Sequence, residues 1–87
     1  MISIDFDIVL FQERETYIAY CPELDISSCG ETVNQAKSRV RTAVRLFIEE
    51  ADKMGTLKTI LEESNYIKDS KGKWTPPKLI STELMSL

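Results

Sequence analysis

The sequence contains no histidine, so it lacks the commonest general base and the commonest metal ligand. Its two cysteines, Cys21 and Cys29, are too few for a disulfide scaffold, and we expect both to be reduced. No apolar run approaches the roughly 20 residues that cross a bilayer. Two aspartates interrupt the apolar residues 2–11, and no basic leader precedes them, which is unlike a secretory signal. These absences predict a cytoplasmic protein with no metal, no cofactor and no membrane association.

Charge is unevenly distributed along the 87 residues. The net charge is −3, yet residues 1–31 hold seven acidic residues and one basic residue. An acidic front half makes nucleic acid an unlikely partner and favours a basic protein. Because so short a chain buries only a thin core, we also expect a homodimer or a higher homo-oligomer.

Three strand patterns open the chain. Residues 2–11 alternate, with isoleucine, phenylalanine and leucine at the even positions, as in a strand with one buried face. Val9 and Phe11 interrupt the opposite, polar face, which predicts that this end is covered on both sides. "TYIAYC" and "ISSCG" follow after short polar connections and complete a predicted β-meander.

Two helices are predicted next. Thr32 and Gln35 form a capping box, and Gly55 is a natural stop, so the first helix runs over about 33–53. The apolar stripe predicted for this helix is Val33, Ala36, Val40, Ala43, Val44, Phe47, Ile48 and Ala51. Thr56 is expected to cap a second helix over about 57–64. Residues 78–87, "KLISTELMSL", could form a last strand or a docked tail.

An ordered set of residues then resembles a known family. The segment contains an aromatic strand, a Pro-acid-Leu turn, a third strand, a Gly-acid-Thr turn and a helix with alanine four residues past the threonine. The residues at these positions are Tyr17, Tyr20, Pro22, Glu23, Leu24, Gly30, Glu31, Thr32 and Ala36. In this order they resemble the HicB-like antitoxins of bacterial and archaeal toxin–antitoxin systems. "WTPP", at Trp74, Pro76 and Pro77, resembles an element of solitary members of that family.

The resemblance implies an α+β fold with a partial RNase H-like β-β-β-α core, a second short helix and a C-terminal strand or tail. It divides the chain into a HicB-like domain over residues 1–67 and a loop and tail over residues 68–87, packed on the domain or on a partner subunit. The implied function is to bind and neutralise a small, basic HicA-type ribonuclease toxin without catalysis. Many family members continue into a DNA-binding extension; residues 79–87 offer at most one strand-like segment, so we do not expect operator binding.

Charge complementarity selects the candidate binding residues, since an acidic surface would meet a surface that binds RNA phosphates. The candidates for steering and contacting the partner are Asp5, Asp7, Glu13, Glu15, Tyr17, Tyr20, Glu23 and Asp25. No residue is predicted to be catalytic. The rival functions are a regulatory or scaffolding module without a toxin partner and, less favoured, a metal-dependent nuclease built on Asp5 and Asp7.

Two further patterns have alternative interpretations. Cys21 and Cys29 could be cross-strand neighbours close enough for a disulfide, or two reduced, half-buried side chains, which we favour. Lys37, Arg41 and Arg45 form a basic stripe that is either a solvated helix face, which we favour, or a phosphate contact.

Overall fold

An antiparallel meander of three strands forms the sheet in the computed structural model, which describes residues 2–87. The strands are β1 (Val9–Glu13), β2 (Thr16–Cys21) and β3 (Ile26–Gly30), in the spatial order β1-β2-β3. Two residues join β1 to β2, and the first of them, Arg14, has a left-handed φ of 58°. The predicted meander is confirmed, although the first strand begins later than the alternation in the sequence suggested.

Residues 2–8 are extended but lie outside the meander. Pro22 follows the last residue of β2 and has no N–H, so it cannot continue the hydrogen-bonded ladder. Residues 2–8 therefore have no strand of the meander beside them. They pair instead with Trp74, whose N–H donates to the Ser3 carbonyl at 2.9 Å and whose carbonyl accepts from the Asp5 N–H at 3.0 Å. The predicted strand over residues 2–11 is therefore two segments with different partners.

The long helix α1 (Val33–Lys53) has the predicted bounds. The Thr32 hydroxyl accepts the Gln35 N–H at 3.0 Å, and the Gln35 side chain accepts the Glu31 N–H at 2.6 Å, so the capping box closes one residue earlier than expected. The buried stripe is narrower than predicted and consists of Ala36, Val40, Val44, Ile48 and Ala51. Val33 and Phe47, placed in the stripe by the sequence pattern, are 37% and 36% exposed, because the three-stranded sheet is too narrow to cover them.

The short helix α2 (Leu57–Glu63) buries Leu57 and Leu61 against the same core. Gly55 ends the preceding turn with a φ of 74°. Thr56 precedes α2 but does not cap it with its side chain, contrary to the prediction. Its hydroxyl donates to the Ala51 carbonyl at 3.3 Å, so it closes the end of α1.

The C-terminal region consists of a small hairpin and a tail. β4 (Ile67–Lys68) pairs with β5 (Trp74–Thr75), and Trp74 is buried against the core. Residues 76–87 contain no helix or strand, so of the two predicted alternatives, a last strand or a tail, the described structure has the tail. The apolar side chains of the tail are exposed in the isolated chain; they are Leu79, Ile80, Leu84, Met85 and Leu87.

The core lies between the sheet and the two helices, and a small α+β fold is confirmed. Leu61, Val40, Val44 and Cys21 are its largest fully buried side chains. Neither helix of residues 2–87 combines the length and the apolarity needed to cross a membrane.

Candidate functional site

The two faces of the sheet differ in what covers them. Side chains directly opposite each other in an antiparallel ladder share a face, and neighbours along a strand alternate. Ala19 and Cys21 of β2 are buried beneath the helices. Val9, Phe11, Ile18 and Tyr20 therefore lie on the opposite side, which we call the outer face.

The centre of the outer face is apolar and uncovered. Val9 is directly opposite Tyr20, and Phe11 is directly opposite Ile18, so the four side chains form two adjacent cross-strand pairs. None of the four packs against the buried core, and Phe11 is 55% exposed. The sequence pattern predicted a covered face here; in residues 2–87 no element of the chain covers it.

Acidic residues lie at both ends of this apolar centre. Glu13 follows Phe11 on the same face, at the end of β1. Asp25, in the connection between β2 and β3, accepts a hydrogen bond from the Tyr20 hydroxyl at 2.9 Å. That bond to a carboxylate stabilises the neutral phenol and raises the pKa of Tyr20. The site is thus an apolar centre with carboxylates around it.

Glu23 belongs to the interior edge of the sheet rather than to this surface. Its Oε1 accepts the Asp7 backbone N–H at 2.8 Å and lies 3.7 Å from the Cys21 Sγ. Burial disfavours the charged form and raises the pKa of Glu23. The sequence had proposed Glu23 as a docking residue, whereas the structure shows that its carboxylate holds the N-terminal segment in place.

The remaining predicted site residues are dispersed. The Asp5 carboxylate is paired with Lys73 Nζ at 2.9 Å, so part of its charge is already neutralised. Tyr17 lies opposite Gly30 and packs against the core from the helix side. Glu15 is exposed at the tip of the first hairpin. Of the predicted site residues, Glu13, Tyr20 and Asp25 therefore lie around the apolar centre, whereas Tyr17 and Glu23 do not.

Val9, Phe11 and Ile18 were not among the residues that the sequence predicted to contact a partner. The signal was present, because Val9 and Phe11 fall at the odd positions that are otherwise polar in the first segment. Periodicity shows that a second face is apolar, but it does not show whether the chain itself covers that face.

The two cysteines lie on opposite faces of the sheet. Cys21 is opposite Ile26 and buried, whereas Cys29 is opposite Ile18 and exposed. They are free thiols and not cross-strand neighbours, because the register pairs each with a different residue. Burial raises the pKa of Cys21 to about 11, which keeps its thiol protonated and unreactive.

Residues 2–87 contain no group of three or more Cys, Asp or Glu side chains that could hold a metal ion. No family model, no curated protein and no solved structure matches the chain.

Proposed function

We propose that the chain is a cytoplasmic, non-catalytic, antitoxin-like protein that binds a small, basic HicA-type ribonuclease toxin through the outer face and holds it inactive. The observation that carries the proposal is the exposed apolar centre around Phe11, surrounded by carboxylates. The element order of three antiparallel strands followed by a long helix supports assigning the core to the partial RNase H-like arrangement of the HicB-like family.

The geometry of the outer face suits a protein partner. Interfaces commonly combine a well-packed apolar or aromatic centre with a polar rim that excludes water. Phe11 and Tyr20 supply aromatic area on a rigid ladder, so little conformational freedom is lost when they are covered. A contiguous exposed apolar patch is itself typical of an interaction site.

The charges around the centre favour a basic partner. Glu13 and Asp25 project a negative field where Phe11 is exposed, and no cation of residues 2–87 forms an ion pair with them. A surface that binds RNA is positively charged, so the same field accelerates its approach and disfavours acidic competitors. When the outer face covers the RNA-binding surface of the partner, RNA can no longer bind there. This exclusion of RNA is the inhibitory step that we propose.

Co-expression with the product of a short, basic open reading frame adjacent to the gene tests the proposal. We expect the two proteins to co-purify and the purified complex to cleave no RNA. Replacing Phe11 by serine should weaken the complex about thirtyfold, the effect of removing a contact worth about 2 kcal/mol. Leu46→Ser is the matched control, because Leu46 is 56% exposed on α1, away from the outer face.

The charge contribution is tested separately with Glu13→Lys. This variant should lower the association rate, and the loss should shrink as the salt concentration rises. Equal binding by the wild type, Phe11→Ser and Glu13→Lys would refute the outer face as the interface. Failure of every basic neighbour to bind would favour the regulatory or scaffolding module instead.

A further inference from the structure

The N-terminal part of the chain is a single open sheet edge. Backbone groups of Ser3, Asp5 and Asp7 all bond towards the interior, to Trp74, to the Tyr66 hydroxyl and to the Glu23 side chain. Glu13 and Thr16 close the hairpin of β1 and β2 as a hydrogen-bonded pair. Because bonded and non-bonded pairs alternate along an antiparallel ladder, the odd-numbered residues of β1 are the ones bonded to β2. Backbone groups alternate in direction along an extended chain, so those of the even-numbered residues 4–12 point away from the sheet. No backbone hydrogen bond is formed by Ile4, Phe6 or Ile8 within residues 2–87.

A groove runs beside this edge. Its floor is formed by Ile4 and Phe6 on one side and by Val44 and Ile48 of α1 on the other, and its volume is about 560 Å³. Farther along α1, Lys37 and Arg41 line its continuation next to Phe6 and Ile8. The groove has an apolar floor, and charged side chains of α1 complete its lining; they are Arg41, Arg45, Glu49, Asp52 and Lys53. Open ladder groups beside an apolar floor are the combination that receives an added strand, with alternate side chains of that strand in the groove.

The same chain carries a segment that fits this site. Residues 78–87 contain no helix or strand, and the exposed fractions of Ile80, Leu84 and Met85 are 82%, 98% and 85%. As a strand, these ten residues would span about 33 Å, enough to follow the nine residues of the open edge. Ile80 and Leu84 are four residues apart, so in a strand they lie on the same face and could enter the groove together.

A second copy is a better source of this segment than the same copy. The tail begins after Trp74 and Pro76, and Trp74 is bonded to the interior side of the N-terminal segment, opposite to the open edge. The alternative of pairing two identical edges brings two copies of the same acidic segment, which carries Asp5, Asp7 and Glu13, side by side, where like charges repel. The tail carries only two charged side chains, Lys78 and Glu83, and their charges are opposite, so it adds less like-charge repulsion to the edge than a second acidic segment would.

We propose that residues 78–87 of a second copy add as a strand to the open edge at residues 4–12, with Ile80 and Leu84 in the groove against Val44 and Ile48. Reciprocal exchange of the two tails gives a closed dimer with twofold symmetry. The outer face remains free in this dimer, so the inference does not depend on the proposed function.

Sedimentation of the full chain at micromolar concentration tests the exchange. We expect the wild type to be a dimer. Leu84→Asp should shift it to monomer, with a dissociation constant raised by at least about tenfold, since an apolar side chain of this size is worth about 1.5–3 kcal/mol when buried. Because Leu84 makes no packing contact in the isolated chain, the substitution leaves the domain folded. Leu46→Asp, on the exposed side of α1, should remain a dimer.

An edge variant gives the decisive comparison. Leu10→Pro removes an outward N–H and leaves the bonds from β1 to β2 intact, so it should also be monomeric. Gln12→Pro serves in its place if circular dichroism shows that Leu10→Pro does not fold. A mixture of the Leu84→Asp and edge variants should form heterodimers, because one supplies an intact edge and the other an intact tail.

Three outcomes would overturn the exchange. The first is a monomeric wild type whose tail is protected from proteolysis, which would place the tail on its own domain. The second is a Leu84→Asp variant that dimerises like the wild type. The third is a mixture of the Leu84→Asp and edge variants that stays monomeric.

Discussion

Glu23 shows at the residue scale that a side chain predicted to bind a partner also has a role in the fold. Its carboxylate accepts the Asp7 N–H at 2.8 Å from a partly buried position. Burial raises its pKa above the ordinary value of 4.5. The folded state therefore binds the Glu23 carboxyl proton more tightly than the unfolded state does. The stability that this protonation contributes is complete below pH 4.5 and is lost as the pH rises through the raised pKa.

The Glu23→Gln variant isolates this effect. An amide oxygen can still accept the Asp7 N–H but carries no charge, so the variant should match the wild type at about pH 4 and exceed it in stability at about pH 7. Urea denaturation at both pH values measures the difference. Glu23→Ala, which loses the acceptor, should be less stable than Glu23→Gln at both. A difference between wild type and Glu23→Gln that does not change with pH would contradict the raised pKa.

Single residues were predictable from the sequence where a local pattern decides their role. Thr32 and Gln35 bond to the backbone within four residues, so the start of α1 could be predicted from the sequence. The environments of Glu23 and Asp5 could not, because their partners Asp7 and Lys73 are brought to them by the fold. Residue identity alone presents all of these acids as equivalent.

At the scale of elements, β3 and α1 approach each other closely at Gly30. Gly30 ends β3, and a Cβ there would lie 2.8 Å from the Ala36 backbone nitrogen and 2.9 Å from the Gln35 Cβ. Such distances require the first turn of the helix to move away from the sheet. Glycine at this position therefore lets the capped end of α1 rest directly on β3.

Gly30→Ala should accordingly destabilise the protein by about 1–3 kcal/mol, the usual cost of overpacking a tight contact. Ser28→Ala is the matched control, since Ser28 lies on the same strand and face and already carries a Cβ, so its effect should be smaller. The free energy of unfolding from urea titration decides between them. Equal effects of the two substitutions would show that the helix can shift without loss.

The bounds of the elements were predicted well where stop signals lie next to them. Gly55 and the capping box bracket α1, and the short connections fixed the meander. The division of residues 2–13 into two segments was not predictable. The even positions stay apolar from Ile2 to Leu10, while the backbone partner changes from Trp74 to β2. Apolar periodicity records which side is buried and not which strand lies alongside.

At the scale of the whole molecule, stability depends on a small core shared by the sheet and both helices. Leu61 is fully buried where α2 meets that core, whereas Leu46 is 56% exposed on α1. Leu61→Ala should lower the free energy of unfolding by about 2–5 kcal/mol, and Leu46→Ala should change it by less than about 0.5 kcal/mol. Thermal or urea denaturation measures both. Similar losses for the two leucines would mean that α2 is not part of the cooperative core.

The fold class was predictable from the sequence, and the surfaces were predictable only in part. An acidic front half indicated a basic partner, but the apolar centre around Phe11 became recognisable only when the register placed Val9, Ile18 and Tyr20 beside it. The tail shows the same limit, because its apolar residues predicted that something covers them, and no local pattern says what does.

The bonds from Trp74 to Ser3 and Asp5 also have a consequence for the order of folding. They join the two regions that are almost farthest apart in the chain, as does the bond from Tyr66 to the Asp5 carbonyl. Closing so long a loop costs more entropy than forming the neighbouring hairpins. The hydrogen bonds from Trp74 and Tyr66 to the N-terminal segment are therefore expected to form after the meander and α1. Trp74 is the single tryptophan, and its fluorescence therefore reports the last step of assembly rather than the first.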